Sequence, residues 1–170
     1  MKEKKIPRKK KKLTIGRTDT LDFPELHLFN IGTKIDTGAF SSSIHCHNIE
    51  LVEKEGKTLL KFNLLDPSHQ EYNEKEFLIT DFHQKIVKSS FGDEELRYIF
   101  DTQVTLFGKT ITTEFSLADR TKMKYAVLLG RKLLYSGRFI VDVAKRNLSY
   151  KRKLRKLNQS TDENSSIIKG

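Results

Sequence analysis

The chain carries a single cysteine, Cys46, in 170 residues. One thiol excludes an internal disulfide framework and any four-cysteine zinc site. Long apolar runs are also missing: none approaches the roughly 20 residues that cross a bilayer as a helix. The opening residues Met1-Lys2-Glu3-Lys4-Lys5 are charged and lack the apolar stretch of a secretory signal. Hydrophobic residues make up only 36%, which places some polar length outside the core. H-E-x-x-H and the G-x-x-x-x-G-K-[ST] phosphate loop are both absent. These absences lead to the expectation of a cytoplasmic protein with no membrane contact, no metal and no nucleotide cofactor.

What is abundant is positive charge, and it is concentrated at the ends. The net charge is +10, of which residues 1–12 hold +7 and residues 145–157 another +7. Residues 158–170 hold −1, and the body between, 13–144, is mildly acidic at −3. The expected organisation is a basic tail at 1–13, one domain at 14–144, and a basic then polar tail at 145–170. Such ends attract polyanions without reading sequence, so contact with RNA or the ribosome is a candidate auxiliary role. Tyr150 is the only aromatic available there to stack on a base. A solvated, solubilising face is the competing reading.

The body reads as short strands and turns. Strand patterns cover residues 33–36, 44–52, 58–64, 76–81, 84–88 and 139–143. Residues 96–107 and 110–117 form a hairpin pattern across Gly108-Lys109. The apolar run Tyr125-Ala126-Val127-Leu128-Leu129 stops at Gly130 and suits a buried strand. Residues 131–135 suit a short helix. Many short strands at close spacing predict an all-β barrel or sandwich.

Chemistry concentrates in Lys34-Ile35-Asp36-Thr37-Gly38-Ala39. A strand delivers an acidic residue into a tight glycine-containing turn, whose N–H groups can hold the ionised carboxylate. Aspartic proteases need that arrangement: one carboxylate takes a proton from water while its twin protonates the scissile carbonyl. A D-T-G triplet alone is weak, because turns often carry Asp and Gly for backbone reasons. Val127-Leu128-Leu129-Gly130-Arg131 supplies a second, later block in the right order. Together the two resemble the retropepsin-like aspartic proteases.

A nearer resemblance adds Ile15-Gly16-Arg17, Leu21, Pro24-Glu25-Leu26, Ser42-Ser43-Ile44-His45, Val87 through Ser90 and Gly92 to Arg97. It continues with Asp119-Arg120, Met123-Lys124-Tyr125 and Gly137-Arg138-Phe139-Ile140-Val141-Asp142. These residues resemble the bacterial retropepsin-like family that carries the label "ATP-dependent zinc protease". That family is associated with an ATP-grasp ligase that adds glutamates to a ribosomal protein. The resemblance spans residues 14–143 and implies an all-β closed barrel with at most one or two short helices. It implies an aspartic peptidase acting on peptides or glutamylated protein tails.

One D-T-G per chain requires a two-fold homodimer that brings Asp36 of each copy to one axis. Asp101 lacks a following glycine, and Asp142 is read as bonded to backbone or Arg138. Thr37 is expected to lock the two loops, Gly38 to let the backbone turn, and Ala39 to leave room for close approach. Lys34 shares a strand face with Asp36, and Arg131 adds a second cation. Two readings stand for these cations: a pocket for glutamyl groups, or structural ion pairs with Asp119 or Asp142. Ser90 and Arg97 belong to a candidate substrate-covering loop. His45 and His47 could share one side of a strand while Cys46 faces away; two ligands do not close a zinc site, and His45 is expected to hydrogen-bond the active-site loop. Residues 66–73 are read as an insertion of unknown place. Two rival functions remain: a non-catalytic ribosome- or ligase-associated binding module on the same fold, and a zinc-dependent hydrolase.

Overall fold

Short runs rich in apolar and β-branched residues fill most of the body, and the strands form on them. The computed structural model describes residues 11–88 and 92–167. Eleven strands are formed: β1 (Leu13–Gly16), β2 (Thr18–Phe23), β3 (Leu28–Ile35), β4 (Ser42–Lys54), β5 (Lys57–Leu64), β6 (Glu76–Ile79), β7 (His83–Lys88), β8 (Glu94–Leu106), β9 (Lys109–Ala118), β10 (Val127–Leu129) and β11 (Phe139–Asp142). Two α-helices, α1 (Arg131–Ser136) and α2 (Leu148–Ile167), complete the described elements with one 3-10 turn. In β2 every second residue is buried, which turns Asp19, Leu21 and Phe23 inward.

Nine strands form one sheet in which β10, β3, β2, β8, β9, β4, β5 and β6 are successive neighbours and β7 pairs with β8. β4 also pairs back onto β10 through Val127↔Ile44 and Leu128↔Ser43. β1 and β11 pair in parallel as a separate two-stranded sheet. Two-residue turns join β4 to β5 and β8 to β9, at Glu55-Gly56 and Phe107-Gly108. All four residues have positive φ, the geometry of the hairpin turn that matches strand twist. The second turn therefore falls one residue before the expected Gly108-Lys109. Phe23, Phe62 and Phe115 are the bulkiest fully buried side chains, and Phe23 meets Phe115 edge-to-face at 5.1 Å.

Two expectations change. β1 and β2 carry no strong strand signal, yet both form. The helices are not both short: α2 runs 20 residues through a segment expected to be a tail. The cause is long-range. Asp19 of β2 is buried, and its carboxylate accepts from the backbone N–H groups of Ser149 (2.8 Å) and Tyr150 (3.0 Å). A strand residue thus caps α2 and sets a negative charge at the positive end of its dipole. Ser149 Oγ accepts from Phe107 N–H at 2.7 Å, and Lys153 Nζ pairs with Asp22 at 2.7 Å.

Asp19→Ala removes the acceptor of the Ser149, Tyr150 and Thr20 N–H groups, the first of them buried. It should cost about 2 kcal/mol or more and lower the melting temperature by at least roughly 4 °C. Thermal unfolding checks the size of the effect, and faster amide exchange at Ser149 and Tyr150 checks the cause.

Candidate active site

β3 ends at Ile35, which pairs with Leu129 of β10, and Asp36 N–H donates to Leu129 O at 2.9 Å. The chain then leaves the sheet through Thr37, Gly38 and Ala39. Asp36 Oδ1 accepts from Gly38 N–H (2.9 Å) and Ala39 N–H (3.2 Å). The turn thus grips one oxygen of its own carboxylate. Gly38 does not have positive φ. A Cβ there would lie 3.2 Å from Asp36 Oδ1, so the glycine provides clearance for the carboxylate rather than left-handed backbone.

The far side of the loop is clasped by the later apolar block. Arg131 N–H donates to Ala39 O at 2.9 Å and Lys132 N–H to Phe40 O at 3.1 Å. Gly130 N–H donates to Ser42 Oγ at 3.2 Å. A Cβ on Gly130 would stand 2.5 Å from the carbonyl oxygen of Ser41, a distance backbone cannot yield cheaply. The two blocks read from sequence therefore meet, and glycine is required where they touch.

Among the expected site residues, Asp36, Thr37, Gly38 and Ala39 form the loop. Thr37 and Gly38 are exposed and Asp36 is half-buried. Arg131 lines a cleft of about 660 Å³ with Thr37, Lys12, Arg138 and Tyr135. Lys34 is exposed on β3, two residues before Asp36. Neither Lys34 nor Arg131 makes an ion pair among the described residues. Asp142 pairs instead with Lys145 (3.1 Å), and Asp119 accepts from Thr121 N–H (2.9 Å). Arg97 is bound to Glu95 at 2.7 Å, in a separate cleft lined also by Cys46 and Asp119. Ser90 lies outside the described residues.

His45 does not bond the loop. It is buried, and its Nδ1 accepts from Arg120 N–H at 2.8 Å. The proton therefore sits on Nε2, which donates to Asp66 at 2.8 Å. Bonds from Ser68 and then from His45 hold the Asp66 carboxyl below its ordinary range. Residues at the start of the inserted segment thus brace β4. His47 Nδ1–H donates to Leu65 O at 2.6 Å. Burial pushes the Cys46 thiol up to about 12. With both ring nitrogens of His45 engaged and the thiol kept protonated, these three residues do not fit zinc.

Arg120 and Ser43 entered the sequence reading only within the blocks Asp119-Arg120 and Ser42-Ser43-Ile44-His45, with no role assigned to either. Arg120 Nε donates to Tyr125 O (3.1 Å) and Nη1 to Ser43 Oγ (3.2 Å). Burial and the charge of Arg97 push the guanidinium below its ordinary value, while Asp36 opposes that shift. The available signal was the position of Ser43 just beyond the loop.

The geometry defines a class: a mostly β chain that presents an Asp-Thr-Gly loop clasped by a hydrophobic-hydrophobic-glycine strand. Residues 14–152 match the family model described as "Retropepsin-like aspartic endopeptidase RimB", and the chain belongs to that RimB-like family. It is also similar to proteins named "Probable alpha-L-glutamate ligase". It is 33% identical to the one from Shewanella pealeana over 136 residues, and 30% identical to the one from Desulfotalea psychrophila over 133. These matches cover 77% and 78% of this chain but only 28% of each relative. The crystal structure of a Legionella pneumophila protein of unknown function shares the fold, with a TM-score of 0.63 and 24% identity. That match covers 81% of this chain and 98% of the other.

Gly130→Ala forces the clasp apart and should cost about 2 kcal/mol; a melting curve reads the loss. Cys46 should resist thiol reagents at pH 8 in the folded chain and react at an ordinary rate once urea unfolds it, as a timed labelling assay would show.

Proposed function

We propose that the chain is an aspartic peptidase whose Asp36 works with Asp36 of a second copy, cutting peptides at glutamate-rich or glutamylated segments. The carrying observation is the carboxylate of Asp36, gripped by Gly38 and Ala39 N–H in a loop anchored on both sides. One such loop exists per chain, and two neighbouring carboxylates sharing a proton are what the reaction needs. The ionised carboxylate takes a proton from water, and the water oxygen bonds to the peptide carbonyl carbon. The protonated twin gives its proton to the carbonyl oxygen. Collapse of the resulting diol breaks the C–N bond as a carboxyl proton passes to the leaving amine.

Pairing is supported by what surrounds the loop. Thr37 is exposed, and so are two large apolar side chains near it: Phe40 (58%), three residues on, and Tyr135 (87%), which lines the same cleft. An acidic substrate is supported by Lys34 and Arg131, two cations with no ion-pair partner among the described residues. The ligase names of the relatives point the same way. We also read the sheet as the closed barrel of retropepsins, a reading supported by the return of β4 to β10. Contact of the cations of 145–157 with RNA stands beside this as an auxiliary role. The expected location is the cytoplasm; no described helix is long and apolar enough to cross a membrane.

Asp36→Asn should lower hydrolysis of poly-α-glutamate by at least about 100-fold while leaving the dimer in place. Chromatographic product analysis and sedimentation read the two outcomes. Hydrolysis that survives in Asp36→Asn, or a wild type that cuts no acidic peptide, would leave the fold as a binding module; loss of activity on chelation would favour a zinc hydrolase.

A further inference from the structure

Leu128 of β10 is paired on one side with Lys34 of β3 and on the other with Ser43 of β4. Residues opposite one another in a ladder send their side chains to the same face. Asp36 follows Lys34 by two residues, so it leaves the strand toward that face as well. The face therefore presents an ammonium, an apolar side chain and a hydroxyl in one row, beside the carboxylate.

Arg120 brings a second cation to the Ser43 end of this row. Three contacts fix it: Nη1 to Ser43 Oγ at 3.2 Å, Nε to Tyr125 O at 3.1 Å, and its own N–H to His45 Nδ1 at 2.8 Å. His45 is held in turn by Asp66. None of the three partners of Arg120 is an anion. A guanidinium has five N–H donors, and only two are used among the described residues. Arg97 is matched by Glu95 at 2.7 Å, whereas Arg120 has no carboxylate of its own among the described residues. A half-buried cation, immobilised with no carboxylate in direct contact and only the more distant charge of Asp36 to offset its burial, has already lost side-chain entropy and hydration. An arriving carboxylate restores the balance and can take two parallel N–H bonds.

We propose that Arg120 is the specificity-determining receptor for a substrate carboxylate, with Lys34 as a second cation across Leu128. This rests on the peptidase reading and, for the placement of two such receptors, on its two-fold pairing. Two copies set one Arg120 on each side of the paired Asp36 residues. The site then selects acidic side chains on both sides of the bond to be cut. A glutamine in place of glutamate brings no charge and leaves the guanidinium unmatched.

The test is binding in the full chain carrying Asp36→Asn, so that no hydrolysis intervenes. The probes are a fluorescein-labelled peptide of six α-linked glutamates and a matched peptide whose central two are glutamine. Anisotropy gives the affinity ratio between them. Arg120→Gln should lower that ratio on the order of tenfold, and Arg120→Lys, which keeps charge but not the fork, should fall between. An unchanged ratio in a variant with native melting behaviour overturns the proposal, as does the absence of any preference before Arg120 is changed. If Arg120→Gln does not fold, the Arg120→Lys ratio decides by the same criterion. A ratio that depends on Arg120 in a protein whose wild type cuts neither peptide would sink the peptidase and keep this inference. Asp36-dependent cleavage with an unaltered ratio would do the reverse.

Discussion

The structure around the site depends on one close approach of backbone to backbone. Gly130 lies against Ser41 so tightly that a single added carbon would sit 2.5 Å from a carbonyl oxygen. That contact brings Arg131 and Lys132 N–H within reach of Ala39 and Phe40 O. These bonds hold the outgoing arm of the loop, while Leu129 O holds the incoming arm at Asp36 N–H. With both arms tied, Gly38 and Ala39 N–H stay aimed at one carboxylate oxygen. The donors are backbone, so their positions do not depend on side-chain rotamers, and little reorganisation is needed when charge moves.

Legibility in the sequence tracked the range of the interactions. Asp-Thr-Gly and Leu-Leu-Gly were readable because both are short, contiguous patterns in the order that retropepsins carry, and the structure adds a backbone reason at Gly130, where a Cβ would meet Ser41 O at 2.5 Å. β5, β8, β9 and β11 were readable from their β-branched and aromatic residues, and β10 from a continuous apolar run that stops at Gly130. β2 was not, since Asp19 takes an inward position of its alternation and is used for something distant, the α2 cap. α2 was hidden for the reciprocal reason. Its residues look like a solvated charge run, and what fixes its first turn is a carboxylate 130 residues earlier. The role of Arg120 was hidden likewise, because its partner Ser43 is 77 residues away in the chain.

His45 shows how a residue can look like a ligand and serve as a strut. Its neighbours Cys46 and His47 give the sequence a metal-binding appearance. In the fold its two nitrogens join the turn at Asp66 to the turn at Arg120. Both turns lie outside the strands, and a buried imidazole spans them with one donor and one acceptor. Asp66 is held mainly by Ser68, so the strut ends on a turn that is itself internally bonded.

The capping of α2 by Asp19 also has a mechanical side. β2 is the direct neighbour of β3, with Thr18 opposite Lys34. The basic helix is thus tethered one strand away from the segment that leads into Asp36. Any macromolecule that grips the outer surface of α2 exerts its load on β2 first. The carboxyl-terminal arm is in this sense a handle whose root is set in the strand beside the one that carries the loop.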